Sequence, residues 1–322
     1  FRDMVAQDPA MARVLRQVEM VAPTEYSVVI TGESGTGKEM VARKIHDLSS
    51  RSAGPFVAVN MGAVSETLFT DELFGHKKGA YTGAAKDRQG FFETAASGTL
   101  FMDEITELDI RLQSGLLRVI QEKEFYRVGS TRTVGVDVRL LAATNKDVMI
   151  EIEQNRFRAD LFHRLNMFHI DIPPLRERKA DILPLTRLFT ELFAAETGKR
   201  ITGTAKDLEA FLLDYPFPGN VRELKNMVAA AVLMEKTGTL TRSSMRLPSC
   251  GEPDTHTCEP AAGRKDIPVS WPLARMEQFH IRRVLESVNG NRTKAAEILG
   301  IGRKTLHRKL KAYEQQANLD IS

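Results

Sequence analysis

Residues 28–38 read Val-Val-Ile-Thr-Gly-Glu-Ser-Gly-Thr-Gly-Lys and are the strongest indication of the fold. A β-branched run enters a glycine-rich loop that ends in lysine, and the segment Glu39 to Ile45 then has helical character. In a P-loop this order lets backbone N–H groups close around phosphates while the lysine reaches the β- and γ-phosphates. The alternative is a glycine turn that binds nothing. We expect ATP to bind at Gly32, Glu33, Ser34, Gly35, Thr36, Gly37, Lys38 and Glu39.

Two carboxylates further along the chain favour hydrolysis. A hydroxyl usually follows the P-loop lysine as a ligand of Mg²⁺, but Glu39 stands there, so other ligands are needed. The run Gly98-Thr-Leu-Phe-Met-Asp103-Glu104 predicts a strand that ends in two acids, where open α/β sheets bind ligands. Alone, such a pair is more often a helix cap. Together with the P-loop, we expect Asp103 to hold Mg²⁺ and Glu104 to act as general base.

Short apolar runs separated by helical segments predict an α/β fold with a parallel sheet covered on both faces. The runs are Ser27 to Thr31, Phe56 to Asn60, Thr99 to Asp103, Asp137 to Thr144 and Met167 to Ile172. Amphipathic segments at 181–193 and 207–213 predict a small all-helical lid, and a later Pro-, Gly-, Ser- and Thr-rich stretch predicts a linker. The expected domains are the α/β core at 1–173, the lid at 174–243, the linker at 244–270 and a final helical domain at 271–322.

The composition limits the other classes of protein. Apolar residues make up 42% of the chain, which is enough for a substantial core, and the apolar runs are shorter than a membrane-spanning helix requires. The start, Phe1-Arg2-Asp3, lacks the apolar segment of a signal peptide, so we expect a cytoplasmic protein, and Phe1 in place of Met indicates a fragment. Cys250 and Cys258, with His256, form an incomplete metal set in the predicted linker, and two reduced thiols are the simpler interpretation.

The segment Glu72-Leu-Phe-Gly-His-Lys-Lys-Gly-Ala-Tyr-Thr-Gly-Ala84 makes a family resemblance specific. It is similar to the GAFTGA loop of the NtrC-type AAA+ activators that remodel sigma-54 RNA polymerase, with Tyr81 in place of the phenylalanine. The resemblance covers essentially the whole chain. It implies that the loop contacts the sigma factor through Gly79, Ala80, Tyr81, Thr82, Gly83 and Ala84. The alternative is an ordinary glycine-rich surface turn.

The same resemblance implies further residues of the nucleotide site. Asn60 resembles the residue that holds the catalytic glutamate until the γ-phosphate is sensed, although an Asn that closes a strand is the simpler interpretation. Thr144 and Asn145 resemble the first sensor. Arg222, within Pro218-Gly-Asn-Val-Arg-Glu-Leu224, resembles the second sensor on the lid, and the alternative is a salt bridge on a helix surface.

Arg158 and Arg164 resemble arginine fingers that reach the nucleotide of an adjacent subunit, where they would stabilise charge on the transferred phosphoryl group. A single subunit would then lack a complete active site. The alternative is two surface arginines that form ion pairs with Asp160 or Glu153.

The C-terminal segment predicts a helix-turn-helix. From Trp271 to Ser322 there are ten Lys or Arg against five Asp or Glu, and a helix around Leu273 to Val288 precedes one at Lys294 to Leu299, capped by Thr293. Gly300-Ile301-Gly302 predicts the turn before a second helix, Arg303 to Tyr313. The unit resembles the Fis-type domain, whose first helix commonly supports dimerisation. The expected DNA contacts are Thr293, Arg303, Lys304, Thr305, His307 and Arg308, and the alternative is a solvated basic hairpin.

The leading hypothesis is therefore an ATP- and Mg²⁺-dependent activator that assembles from dimers into a hexameric ring. Its partners would be sigma-54 RNA polymerase holoenzyme and double-stranded enhancer DNA, with no membrane. One alternative is a repressor in which the ATPase core is only a scaffold for oligomers. Another is an AAA+ motor that moves on DNA, for which basic pore loops would be expected; Lys77 and Lys78 precede the loop, but its tip is neutral.

Overall fold

The computed structural model describes residues 6–63, 66–81, 84–236, 238–245, 273–287 and 291–319. The chain divides into two compact units, Phe1–Ser249 and Cys250–Ser322. In chain order the strands are β1 (Val28–Thr31), β2 (Phe56–Asn60), β3 (Gly75–His76), β4 (Arg88–Gln89), β5 (Thr99–Asp103), β6 (Glu124–Tyr126), β7 (Thr133–Gly135), β8 (Arg139–Thr144), β9 (Phe168–Asp171), β10 (Gly203–Thr204) and β11 (Thr239–Leu240).

The helices alternate with these strands in the first half of the chain and dominate the second half. They are α1 (Pro9–Val21), α2 (Lys38–Asp47), α3 (Glu66–Phe74), α4 (Phe91–Thr94), α5 (Ile110–Glu122), α6 (Val148–Glu153), α7 (Ala159–Leu165), α8 (Ile182–Thr197), α9 (Lys206–Asp214), α10 (Asn220–Met234), α11 (Leu273–Ser287), α12 (Arg292–Ile298) and α13 (Arg303–Leu319).

A five-stranded parallel sheet is the centre of the first unit. The strand order is β2-β5-β8-β1-β9, and all neighbouring pairs are parallel. The five apolar runs of the sequence supply these five strands, so the predicted α/β fold with a parallel sheet is confirmed. Because the strands are parallel, their carboxyl ends share one edge. There Asn60 pairs in register with Asp103, and Thr31 lies between Thr144 and Asp171.

The two faces of the sheet belong to two separate apolar clusters. Val29 and Met102 pack into one cluster with α3, α5 and α7, whereas Ile30 and Phe101 pack into the other with α1 and α2. Successive side chains of a strand point to opposite faces, so a strand buried on both faces needs a continuous apolar run. The four residues Thr99 to Met102 of β5 are all buried, which accounts for that run in the sequence.

A buried arginine joins the sheet to the end of α1. Arg139, at the start of β8, is 1% exposed and donates to the carbonyl oxygens of Ala22 (2.7 Å) and Val21 (2.9 Å). These carbonyls lie at the C-terminus of α1, where a positive charge is favourable. Burial lowers the pKa of Arg139. The position of α1 against the sheet therefore depends on this side chain.

The predicted helical lid is confirmed and belongs to the same compact unit as the sheet. Helices α8, α9 and α10 enclose an apolar core of their own, which includes Phe189, Leu212 and Val228. Helix α8 ends at Gly198, whose φ of +65° is a left-handed conformation that glycine adopts without strain. The predicted domain limits at 173 and 243 remain predictions, and most of the predicted linker, with Cys250, His256 and Cys258, lies outside the described residues.

The second unit contains the predicted helix-turn-helix in α12 and α13, preceded by α11. Its core joins Ile281 and Val284 of α11 to Ala295, Ala296 and Leu306. Leu299, Ile301 and Leu310 are partly buried against this cluster.

The cap of α12 differs from the prediction. The helix begins at Arg292, and the side chain of Asn291 accepts from the backbone N–H groups of Thr293 (3.1 Å) and Lys294 (3.2 Å). Thr293 lies inside the first turn, so its prediction as the cap is wrong. The helix start is shifted by two residues, from Lys294 to Arg292, since Asn and Thr both satisfy free N–H groups at a helix end.

Candidate nucleotide site and nucleic-acid interface

The loop after β1 has the backbone geometry that a phosphate cradle requires. Gly32, Gly35 and Gly37 have φ values of +148°, +79° and +105°, and Lys38 begins α2 directly after them. Lys38 is buried, and its Nζ donates to the carbonyl oxygen of Gly32 at 3.0 Å. The same ammonium lies 3.7 Å from Oε1 of Glu104. The structure thus brings the P-loop lysine and the predicted general base together.

The acidic pair lies at the carboxyl end of β5. Burial, and next the neighbouring Glu104 carboxylate, raise the pKa of Asp103. Oδ1 of Asp103 accepts from the backbone N–H of Glu104 at 3.0 Å, and Glu104 itself has a left-handed φ of +51°. Oε2 of Glu104 accepts from the backbone N–H of Asn145 at 3.2 Å. This backbone conformation turns the Glu104 carboxylate toward the P-loop and toward the end of β8.

The two residues of the predicted first sensor have different surroundings. Thr144 is fully buried, and its hydroxyl shares a hydrogen bond of 2.7 Å with that of Thr106. Asn145 is exposed and lines a cleft of 380 Å³ together with Thr31, Gly32 and Glu33. Asn145 is therefore the member of the pair that borders open space beside the P-loop, while Thr144 fixes the end of β8 from within.

Asn60 ends β2 beside Asp103, as the register of the strands requires. Its Oδ1 accepts from the backbone N–H groups of Gly62 (2.9 Å) and Ala63 (3.2 Å). The amide thus closes the strand in this structure, as the simpler interpretation supposed, while Asn145 bonds Glu104. Its role as a holder of the catalytic glutamate remains a prediction.

Glu39, which follows the P-loop lysine, forms an ion pair within its own helix. It is exposed and accepts from Arg43 one helical turn later, at 2.8 Å. Carboxylate oxygens are ligands that Mg²⁺ prefers, and Asp103 supplies them at the sheet edge beside the cradle. The donor set therefore fits a Mg²⁺ site at Asp103.

The lid lies directly against the P-loop. Arg222, the predicted second sensor, donates from Nη1 to the hydroxyl of Ser34 at 2.9 Å, and its backbone N–H bonds the carbonyl of Gly35 at 3.3 Å. Two residues that the sequence did not single out also meet the loop. Arg176 forms an ion pair with Glu33, and Asn220 donates to Glu33 and to the carbonyl of Ser34. The ion-pair hydrogen bond from Arg176, and then that from Asn220, lower the pKa of Glu33 to about 2.

The two predicted arginine fingers lie at opposite ends of α7. The guanidinium of Arg158 forms an ion pair with Asp160 at 2.7 Å, which is the pairing named as the alternative, and its backbone N–H bonds Gln113. Arg164 is exposed in the last turn of α7. The contact of either residue with another subunit remains a prediction.

The predicted sigma-contact loop is a tight turn in its described part. Gly79, with φ +83°, donates from its backbone N–H to the carbonyl of Ala84 at 2.9 Å, and Ala80 follows it. The ring of Tyr81 is 46% exposed and packs edge-on against His76. Thr82 and Gly83 lie outside the described residues. The aromatic side chain thus stands at the surface beside the turn.

The second helix of the helix-turn-helix presents a basic surface. Arg303, Lys304, His307 and Arg308 are exposed, while Leu306 between them is buried. Thr293 and Thr305 are half-buried. Four of the five predicted DNA-contacting side chains of α13 therefore lie on its exposed face, as a helix that enters a groove requires.

Within the described residues, no helix is both long and apolar enough to cross a membrane. Over the same ranges, no group of three or more His, Cys, Asp or Glu side chains is arranged to hold a metal ion through protein ligands alone.

The fold and the site together define a P-loop NTPase of the AAA+ class with a helical lid and a helix-turn-helix. Comparison with known families agrees with this class. The Sigma-54 interaction domain matches residues 4–171, the AAA+ ATPase lid domain matches residues 176–255, and the Bacterial regulatory protein, Fis family, matches residues 272–313. The chain belongs to the family of sigma-54-dependent transcriptional activators.

Individual relatives are similar over most of their length. The transcriptional regulatory protein FlbD of Caulobacter vibrioides is 43% identical over 320 residues, which cover 97% of this chain and 70% of that protein. The transcriptional regulatory protein ZraR of Klebsiella oxytoca is 45% identical over 307 residues, covering 95% and 68%. The crystal structure of NtrX from Brucella abortus in complex with ADP superimposes with a TM-score of 0.72 at 33% identity, covering 96% of this chain and 68% of that one.

Proposed function

We propose that the chain hydrolyses ATP and uses the energy to convert the closed complex of sigma-54 RNA polymerase into the open complex. The observation that carries the proposal is the approach of Lys38 to Glu104, at 3.7 Å, beside the carboxylate of Asp103. A phosphate-binding cation, a base and a metal ligand at one sheet edge are the parts that phosphoryl transfer needs. The NtrX structures with ADP and ATP support nucleotide binding at such a site.

The chemistry at this site follows from the residues. Backbone N–H groups of Gly32 to Gly37 bind the phosphates, and Lys38 moves from its contact with the Gly32 carbonyl to the β- and γ-phosphates. Glu104 accepts a proton from the attacking water, and its bond to the backbone N–H of Asn145 directs the carboxylate. Asp103 would hold Mg²⁺, and the ion would supply positive charge beside the phosphate oxygens.

The proposed ring supplies the residues that one subunit lacks. Arg158 and Arg164 stabilise transition-state charge on the nucleotide of the neighbouring subunit, so hydrolysis requires assembly. Arg158 must first leave Asp160. Because that ion pair is exposed, solvent screens the attraction and its loss costs little.

The remaining surfaces connect hydrolysis to transcription. Residues 79–84 contact sigma-54, with the exposed ring of Tyr81 as the apolar part of that contact. Arg303, Lys304, Thr305, His307 and Arg308 bind enhancer DNA, and Thr293 contacts the DNA from α12.

The test is transcription in vitro with purified sigma-54 holoenzyme on a supercoiled template that carries an enhancer. We expect ATP-dependent transcripts with the unaltered chain and a loss of at least about 100-fold for Glu104→Gln, because a general base contributes that much. Glu196→Gln removes an exposed carboxylate near the end of α8 and should leave transcription unchanged. Transcripts that form equally well with Glu104→Gln would contradict the proposal.

A further inference from the structure

The side chain of Glu33 points to the lid although its backbone belongs to the phosphate loop. Its carboxylate accepts two bonds from the guanidinium of Arg176, one from Nη1 to Oε2 at 2.9 Å and one from Nη2 to Oε1 at 2.5 Å. The same Oε2 accepts from Nδ2 of Asn220 at 3.1 Å. Glu33 thus receives three hydrogen bonds from residues more than 140 positions away. A bidentate Arg–carboxylate pair also fixes the orientation of the two groups.

Asn220 is the central residue of this contact. It is fully buried, with a left-handed φ of +53°, and it begins α10 of the lid. Its Nδ2 donates to Glu33 and to the carbonyl of Ser34 (3.0 Å), while its Oδ1 accepts from the backbone N–H of Leu175 (2.8 Å). Leu175 lies in the segment that connects β9 to α8. One amide therefore joins the P-loop, the connecting segment and the first turn of α10.

The backbones of loop and lid are also in close contact. A Cβ at Gly35 would lie 2.3 Å from the carbonyl oxygen of Gly219, the residue before α10. The backbone N–H of Arg222 bonds the carbonyl of Gly35 at 3.3 Å. Space at this point is filled, so the start of α10 cannot move toward the loop. Movement of α10 away from the loop breaks the hydrogen bond from Asn220 to Glu33.

We propose that Glu33 is a positioning residue. Its side chain couples the P-loop to the lid through Arg176 and Asn220, and this coupling sets how fast nucleotide is released. The inference rests on the proposed function for nucleotide binding and goes beyond it, because it gives the side chain of a P-loop residue a role separate from its backbone. When the lid is seated, the Glu33 contact holds residues 33–35 against the start of α10. When the lid moves, the carboxylate loses its donors and the phosphate-binding N–H groups lose their support.

The size of the effect follows from exposure. The Glu33 and Arg176 side chains are 42% and 43% exposed, so solvent screens their attraction. Ion pairs of this kind are weak because solvent screens them, and the loss of one changes a rate by at most about fivefold. Loss of the pair should therefore speed release two- to fivefold, about the effect that one screened ion pair allows.

The experiment measures dissociation of a fluorescent ADP analogue by stopped flow, with Glu33→Gln, Arg176→Ala, the double variant and Arg187→Ala as an exposed lid control. We expect release two- to fivefold faster for each single variant and no faster for the double variant, since both changes remove the same pair. Association rates and thermal unfolding should stay at the unaltered values. Arg187→Ala should release the analogue at the unaltered rate, and Arg176→Lys should restore part of the difference.

Unchanged release in both single variants would overturn the inference, as would a double variant whose effect is the product of the two.

A second measurement needs no nucleotide: hydrogen exchange at residues 33–37 and at the start of α10 should increase in Arg176→Ala. Unchanged exchange there would overturn the coupling even if nucleotide binding is intact. If the unaltered chain bound no analogue, the proposed function and the control of release would both fail, while the exchange result would still decide whether Glu33 couples loop and lid.

Discussion

Replacing Gly35 with alanine inserts a methyl group between the phosphate loop and the lid. The backbone has φ +79°, and the new Cβ would lie 2.3 Å from the carbonyl oxygen of Gly219 and 3.1 Å from Cβ of Arg222. An L residue in the left-handed region costs about 1–2 kcal/mol. A methyl group forced into filled space costs a further 1–3 kcal/mol or so. The first cost is present wherever the lid lies, whereas the second arises only when the lid is seated on the loop.

These two costs appear in different measurements. The left-handed strain lowers the free energy of unfolding, while the collision with the lid lowers the affinity of the lid-seated state for nucleotide. Since about 1.4 kcal/mol is a factor of ten, we expect Gly35→Ala to weaken ADP binding roughly 5- to 150-fold. Gly198→Ala is the matched control, because Gly198 has φ +65° and a Cβ there would meet nothing within 4 Å. It should lose about 1–2 kcal/mol of stability and keep its affinity.

Titration with a fluorescent ADP analogue and urea unfolding of both variants separate the two costs. The reasoning is refuted if Gly35→Ala binds the analogue within twofold of the unaltered chain while losing only as much stability as Gly198→Ala. That result would mean that the lid does not rest on Gly35 when nucleotide is bound.

Three further predictions concern stability. Arg139→Ala should lower the free energy of unfolding by about 3–5 kcal/mol in a urea titration, because the buried carbonyls at the end of α1 lose their donors, and a loss below about 1 kcal/mol would contradict it. Gly115→Ala should raise stability by about 0.5–1 kcal/mol, since Gly115 is exposed within α5 and a Cβ there meets nothing, and a fall in the calorimetric Tm would contradict it. Asp103→Asn should make the nucleotide-free chain more stable at pH 7 while reducing hydrolysis, because burial and Glu104 raise the pKa of Asp103 and its ionised form is costly in the folded state. This gain should shrink as pH falls through the raised pKa toward 3.8, and Tm measured against pH would show a constant gain if the reasoning were wrong.

The sheet and the nucleotide loop were predictable because their signals are local. A buried parallel strand must be apolar at every position, so β5 is visible as an uninterrupted run before Asp103. The glycines of the loop are needed for left-handed backbone conformations, and their spacing from Lys38 is fixed by the phosphate geometry. Parallel pairing then places the ends of β1, β5 and β8 together, which brings Glu104 to Lys38 without further information.

The lid contact was not predictable from such signals. Glu33 is 143 residues from Arg176 and 187 from Asn220, and nothing in the pattern of any segment indicates that these side chains meet. The motif at residues 218–224 predicts a role for Arg222, whereas Asn220 makes the buried hydrogen bonds. The sequence signal for Asn220 is its position directly after Pro218-Gly219, since Asn is one of the few residues that tolerate a positive φ. The wrong prediction of Thr293 as the cap arose because Asn291 and Thr293, two positions apart, are both good capping residues.

The decisive experiment measures ATP hydrolysis per subunit against protein concentration for the unaltered chain, Glu104→Gln and Arg158→Ala. We expect specific activity to rise cooperatively with concentration as rings form. Both variants should lose this activity: Glu104→Gln because its own site lacks the base, and Arg158→Ala because the neighbouring subunit's site lacks the arginine. Absence of hydrolysis at every concentration by a chain that still binds DNA would contradict the account and favour a repressor built on an inactive ATPase scaffold.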